Sequence, residues 1–338
     1  MDKILELQKL SIGYIQRGQK KVVGENINLN LYGGELVCLL GPNGAGKSTL
    51  MRTLSGAQNP LGGQVLLHGE KVHDLSAQKL AKKLSLVLTE RVQAGMLTTY
   101  EVVALGRSPH TNWAGKLTSK DHEIIQWAIK MTGANELANR ILSELSDGER
   151  QKVMVARALA QEPEVMILDE VTAFLDLPRR VEIMHLLRKL AHTTNKAILL
   201  STHDMDLALR NADCLWVLPK EGKLQMGAPE DLVLNGALEQ AFASEGVVFN
   251  RNNGAFQTQE IYDHSVQLIG EGETALWTKR ALERIGFATK DDAYLKIEVA
   301  EKNGSSKWIL HQDNKSETLF TIYELMMNLR QKLTGFAQ

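Results

Sequence analysis

Glu35-Leu36-Val37-Cys38-Leu39-Leu40-Gly41-Pro42-Asn43-Gly44-Ala45-Gly46-Lys47-Ser48-Thr49 joins an apolar run, a glycine-rich turn and a Lys-Ser-Thr triplet without a break. Its second half fits the pattern G-x-x-x-x-G-K-[ST]. The order is the one that chemistry requires. Residues 35–40 read as a buried strand, and Lys47 to Leu54, stopped by Gly56, reads as a helix. Between them Gly41, Pro42, Asn43, Gly44, Ala45 and Gly46 allow the backbone to curl, so that its N–H groups converge on phosphate oxygens at a helix N-terminus. Lys47 then has the reach for β- and γ-phosphates, and the Ser48 hydroxyl is a ligand for Mg²⁺, with Thr49 completing the helix start. The segment therefore predicts a phosphate-binding loop for a nucleoside triphosphate.

Moving outward, strand-like and helical segments alternate. Ile4–Leu10 and Ile27–Leu31 alternate as half-buried strands, and Leu84–Leu88, Val165–Asp169 and Ala197–Ser201 are short apolar runs of the fully buried kind. Helical periodicity dominates from about Arg91 to Glu162, where Gly106-Arg107-Ser108-Pro109 interrupts it. Such a pattern predicts an α/β core, with ligands at the carboxyl ends of the strands and the helical middle as a subdomain. Every polar motif falls at those ends.

The strand over 165–169 finishes in Asp169-Glu170, a pair of carboxylates that packing alone does not call for. Asp169 suits a water-mediated hold on Mg²⁺, and Glu170 suits orienting or polarising an attacking water. The next strand ends in Ser201-Thr202-His203-Asp204, where His203 is either a structural strand-end histidine or a partner of that acid. Ser146 and Glu149 form a capping box for the helix that follows, and Ser146 with the Gly148 N–H also suits an anion there. Tyr14, ahead of the loop strand, is either a turn residue or an aromatic that stacks on a base.

Composition narrows the class. The 338 residues are 43% apolar and 23% charged, with a formal net charge of −1, which gives no global attraction to nucleic acid or anionic lipid. Cys38 and Cys214 sit in apolar runs and read as buried free thiols, suited to a reducing cytoplasm. No apolar run has the length of a membrane span, so a membrane role is expected to come through a partner.

Taken together these motifs resemble the ATP-binding subunits of ABC transporters, over about residues 3–228. Gly41–Thr49 corresponds to the family's phosphate loop. Leu145-Ser146-Asp147-Gly148-Glu149 corresponds to its signature, with Asp147 where Gly is usual. Val165–Glu170 is similar to the Walker B strand, Leu175-Asp176 to the D-loop, His203 to the switch histidine and Tyr14 to the adenine-stacking aromatic. The resemblance implies ATP and Mg²⁺ as ligands, with two copies sandwiching two ATP molecules head to tail. Ser146 and Gly148 of one copy would then act on the nucleotide of the other. It implies ATP hydrolysis coupled to transport, peripheral location on the inner face of the cell membrane, permease subunits as partners, and indirectly an external substrate-binding protein. No nucleic acid is expected. Two positions depart from the pattern: Thr89 stands where Gln usually meets Mg²⁺, and Val171 where Pro follows the acid.

Glu101-Val102-Val103-Ala104-Leu105-Gly106-Arg107-Ser108-Pro109-His110 and Leu175-Asp176-Leu177-Pro178 resemble the subgroup that imports iron complexes (siderophore or haem) or cobalamin. A soluble ABC ATPase, for example in iron–sulfur assembly, and an exporter ATPase are the alternatives. The expected domains are a nucleotide-binding domain over 1–235, with a helical subdomain at about 91–162, and a small α+β domain over 236–338. The latter lies outside the resemblance. Its pattern suits either a dimer-stabilising appendage or a ligand-sensing module.

Overall fold

The structure is a computed structural model that describes residues 2–16, 18–88, 95–244, 246–251, 254–258, 262–302, 305–312 and 315–335. The chain forms two compact units, one of residues 1–244 with 249–256 and one of residues 245–248 with 257–338.

In the first unit the strands are β1 (Lys3–Gln16), β2 (Gln19–Tyr32), β3 (Leu36–Leu40), β4 (Gly62–Leu67), β5 (Glu70–Lys71), β6 (Leu84–Val87), β7 (Val165–Asp169), β8 (Ala197–Ser201), β9 (Cys214–Val217) and β10 (Gln225–Gly227). Its helices are α1 (Lys47–Leu54), α2 (Ala77–Lys83), α3 (Thr99–Ala104), α4 (Ser119–Met131), α5 (Asp147–Ala160), α6 (Leu177–Thr194), α7 (Met205–Asn211), α8 (Pro229–Leu234) and α9 (Ala237–Ala241). One sheet has the order β10-β9-β3-β8-β7-β6 and is parallel except for β10. Its central strands explain themselves. All five residues of β3 and of β8 are buried, because helices or a second sheet cover both faces. A β2-β1-β4-β5 antiparallel sheet supplies one of those covers.

The two faces build two cores. One gathers Leu5, Leu29, Val37, Leu39, Leu50, Leu54 and Trp216 between the sheets and α1. The other places Cys38, Met166, Leu168 and Leu200 against Val155, Leu159, Leu187 and helices of the 99–160 region. Cys38 is a fully buried free thiol, and burial drives its pKa far up, so it is chemically quiet. Cys214 is half-buried and free, its thiol also raised by burial, to about 11.

Helix boundaries follow capping chemistry. Thr118 caps α4 in a reciprocal box with Asp121, and Asp176 caps α6 by accepting from the Arg179 N–H at 3.0 Å. Pro178 sits in the first turn of α6, where no N–H is missed, and Asn195 ends the helix in a left-handed conformation (φ 52°). These devices set the two ends of α6. The expected break at Gly106–Pro109 is a 3₁₀ segment, Leu105–His110, in which Arg107 is buried.

A short hairpin of β11 (Val247–Asn250) and β12 (Ala255–Thr258) follows α9. The second unit is an α+β arrangement. β13 (His264–Ile269), α10 (Gly272–Arg284), β14 (Phe287–Thr289), β15 (Leu295–Lys302), β16 (Ser305–Gln312), β17 (Lys315–Leu319) and α11 (Ile322–Gly335) make a mixed sheet of order β14-β13-β15-β16-β17. Val266, Ile297, Trp308 and Leu310 pack with Leu282, Leu325 and Leu329, and the Trp308 indole donates to the buried Thr278 hydroxyl at 2.7 Å. This unit has its own core.

Candidate active site

Three neighbouring strands deliver the site. β3 runs into the phosphate loop, β7 ends at Asp169 and β8 ends at Ser201, with Leu39 and Asp169 both in register with Ser201. Main-chain bonds lock the exits together: the Glu170 N–H donates to Ser201 O at 3.1 Å, and the Thr202 N–H to Leu39 O at 3.3 Å. The predicted residues Lys47, Asp169, Glu170 and His203 are thus set at the carboxyl ends of adjacent strands.

The loop is shaped by two glycines that no other residue replaces easily. Gly46 has φ 102°, and a Cβ there would lie 2.1 Å from Val23 Cγ1 on β2. Gly41 is hemmed by backbone, since its Cβ would fall 2.3 Å from Leu218 O. Gly44 (φ 80°), by contrast, meets nothing within 4 Å, so the loop tip is open on its outer side. Lys47 is only 7% exposed and folds back over the turn, donating to Gly41 O at 2.7 Å and Pro42 O at 3.3 Å. Burial pulls its pKa below the ordinary lysine range, against the opposing charges of Glu170 and Asp169. Ser48 and Asn43 are exposed at the loop, Pro42 and Thr49 half-buried, and Ala45 is buried in the core beneath it.

Asp169 accepts the Ser201 hydroxyl at 2.7 Å. Glu170 has a left-handed backbone (φ 49°), a conformation that costs a non-glycine residue about 1–3 kcal/mol and needs support from its surroundings. That support is present: the Ser201 carbonyl takes its N–H, its own carbonyl takes the Ala173 N–H at 2.8 Å, and its Oε1 lies 2.6 Å from His203 Nε2. Both side chains keep partial solvent access, on a cleft of about 420 Å³ also lined by Thr202, Asp204, Met205 and Arg180. A carboxylate with a histidine partner, beside a lysine-bearing anion cradle, is equipped to hold and polarise a water at a bound phosphate.

The remaining predicted residues lie elsewhere. Ser146 caps α5, donating its hydroxyl to Glu149 Oε2 at 2.8 Å and accepting the Glu149 N–H at 3.3 Å. Gly148 is buried under Arg179, whose Cδ would be 3.2 Å from a Cβ at that position. Their neighbours are thus on α5 and α6. Tyr14 is 40% exposed on the β1–β2 hairpin, with the Lys21 ammonium 5.6 Å above its ring. Thr89 lies outside the described residues, so its place is not part of this geometry. Val171 is buried in the larger core, where an apolar side chain of its size packs.

Sequence reasoning passes over Ser201, Val23 and Arg180. Ser201 is legible only through the register that sets it beside Asp169. Val23 reaches Gly46 because a register shift between Ile12 and Gly13 inserts it as an extra residue in β2. Arg180 had a local signal, standing in the first turn of the helix after Leu175-Asp176, and its Nε donates to Leu175 O at 2.8 Å.

Residues 24–173 match the ABC transporter family, and residues 263–330 match the iron ABC transporter C-terminal domain. An uncharacterised ABC transporter ATP-binding protein of Methanocaldococcus jannaschii is 43% identical over 254 residues, 75% of this chain and 86% of that protein. The iron(3+)-hydroxamate import ATP-binding protein FhuC of Bacillus subtilis is 36% identical over 238 residues, 70% of this chain and 87% of its own. Among solved structures, a dimeric ATP-binding cassette in a post-hydrolysis state with ADP and Pi superposes with a TM-score of 0.57 at 28% identity, covering 67% of this chain and 99% of the cassette.

Proposed function

The chain belongs to the ABC transporter ATP-binding family, and from that premise we propose that it is the ATPase subunit energising import of an iron chelate. The observation that carries the catalytic reading is the Glu170–His203 pair, 2.6 Å apart, at strand ends adjoining the phosphate loop. In this reading the N–H groups of residues 41–47 and the Lys47 ammonium bind the β- and γ-phosphates of ATP. The Glu170 carboxylate orients the attacking water and draws on its proton, while His203 holds that carboxylate and meets charge that develops on the γ-phosphate. Tyr14 stacks on the adenine.

Mg²⁺ fits the donor set: a serine hydroxyl at the loop and a strand-end carboxylate are hard oxygen ligands, and Ser201 orients the carboxylate. Ser48 and Asp169 would hold it, and it would offset phosphate charge. Two copies pair head to tail, so that Ser146 and the Gly148 N–H of one close on the nucleotide of the other; the exposed Ser146 and the dimeric cassette relative support this. Among the described residues no helix is long and apolar enough to cross a membrane. We therefore assign the membrane-spanning part to permease partners, with this subunit peripheral on the inner face and an external binding protein supplying cargo. An iron chelate is favoured over cobalamin by the match of residues 263–330 to an iron transporter domain.

Glu170→Gln tests the reading. It is expected to bind ATP normally, to hydrolyse it at least about a hundredfold more slowly, and to accumulate as an ATP-bound dimer in size-exclusion chromatography. Hydrolysis at the wild-type rate would remove Glu170 from the mechanism.

A further inference from the structure

His203 is held from two directions. β8 brings the chain to it, and α7 begins two residues later, capped by Asp204, whose Oδ1 accepts the Leu207 N–H at 3.1 Å. The Asp204 N–H in turn donates to the Thr202 hydroxyl at 3.0 Å. α7 has only seven residues, a span of about 10 Å, and so short a helix takes its position from whatever packs on it.

α6, α8 and β3 pack on it, and its far end also meets the hairpin, residues 249–251 and 254–256. Phe249 is buried in the same core as Leu207 and Ala208, with Leu209, Phe242 and Phe256 against it. The Phe249 and Phe256 rings are 4.9 Å apart and Phe256 and Phe242 5.8 Å apart, the tilted contacts of an aromatic cluster. The backbone at Gly254 lies on α7 itself, since a Cβ there would be 3.3 Å from Leu209 Cδ1. Arg251 clamps the arrangement from outside through Glu239, with Nη2 to Oε2 at 2.6 Å, and donates to Leu234 O at 3.4 Å. A passive connection is polar and makes few contacts. This one is flanked in sequence by residues of the second unit, yet it carries a buried phenylalanine into the core of the first.

We propose that the hairpin residues 249–251 and 254–256 act as a strut that, together with α6, α8 and β3, fixes α7 and thereby holds His203 in reach of Glu170, making Phe249 and Phe256 positioning residues for ATP hydrolysis. The inference rests on the assignment of the Glu170–His203 pair made above. It places the control of hydrolysis in the segment through which the chain passes into the second unit.

The test is steady-state ATPase kinetics on the full chain carrying Phe249→Ala and Phe256→Ala. A small displacement of His203 is expected to lower kcat by about tenfold, with KM and the nucleotide Kd within about twofold of wild type. Phe249→Leu with Phe256→Leu, which refills the core, is expected to recover most of the rate. Arg251→Glu opposes Glu239 at an exposed site without touching the core, and is expected to lower kcat by about threefold at unchanged KM. Wild-type kcat in a folded alanine pair overturns the strut; should that pair not fold, wild-type kcat in Arg251→Glu overturns it. So does a loss of rate that appears only as raised KM. If Glu170→Gln is inactive while the hairpin variants are fully active, the strut fails and the site assignment stands. If Glu170→Gln is itself active, the site assignment fails first.

Discussion

Replacing Arg107 by methionine removes a charge that joins three parts of the helical region while keeping an apolar stem of similar length. Arg107 is 3% exposed. Its Nε donates to Asp121 Oδ1 at 2.8 Å, and its Nη1 to Ala160 O at 2.7 Å and Glu162 Oε2 at 2.8 Å. Removing one member of a buried pair costs about 3–5 kcal/mol, because the other charge stays behind. Asp121 keeps the Thr118 hydroxyl and N–H, at 2.6 and 2.8 Å, and Glu162 is 42% exposed, so the lower end applies, about 3 kcal/mol. For a unit of this size that is a fall in Tm of about 6–12 °C, measured by calorimetry on the transition that ATP shifts upward. Asp121→Asn in the Arg107→Met background is expected to return part of the loss, since no buried carboxylate is then left uncompensated. The sign with pH follows from the same pair. The Thr118 hydrogen bonds, then Arg107, hold the Asp121 carboxyl at about 2, below its unfolded value. Its contribution is therefore present at neutral pH and is lost as pH falls from about 4 toward about 2. The penalty of Arg107→Met should shrink on acidification, because without the Arg107 charge Asp121 protonates at a higher pH in the variant than in the wild type. A Tm drop of under about 2 °C, or a strictly additive double mutant, would refute this account of the pair.

The remaining expectations concern the site. Ser201→Ala removes the hydroxyl that donates to Asp169 at 2.7 Å; the Mg²⁺ concentration for half-maximal hydrolysis should rise about three- to tenfold, with ATP affinity in EDTA unchanged. Gly46→Ala combines a positive φ with a contact of 2.1 Å on Val23, and fluorescence titration should show ATP affinity falling by more than about tenfold. Adding Val23→Ala should restore only part of it, because the backbone strain stays. Lys47 has its pKa lowered by burial, so its charge is lost below the ordinary lysine range. The Kd for ATP should therefore rise at alkaline pH before about 10.4, and calorimetry in buffers of different ionisation enthalpy should show proton uptake on binding. A Kd that stays flat over that range would mean that the Lys47 charge does not contribute.

Legibility divides by whether a signal is local or depends on register. β3, β7 and β8 could be read directly, since short runs such as Leu36–Leu40 and Ala197–Leu200 are apolar at every position only when both sheet faces are covered. The phosphate loop carries its own conformational demand in Gly44 and Gly46. β17 gave no such signal: Lys315-Ser316-Glu317-Thr318-Leu319 buries one side chain at the sheet edge, and its strand character comes from pairing with β16. α7 escaped for a related reason, being too short for its periodicity to stand out. Ser201 ends a run that looks like any buried strand, and only the register Asp169↔Ser201 turns its hydroxyl into a support for an acidic ligand. Arg107 shows the same limit from the other side. Proline and glycine around it announce a break, yet the helices it ties lie 14 and more than 50 residues away, at Asp121 and Ala160. Groups that touch substrate are carried in contiguous motifs, because a loop must bring several of them to one ligand at once. The groups that hold those motifs in place need only be near in space, and so the support of the site, from Ser201 to Phe249, becomes visible only when the chain is folded.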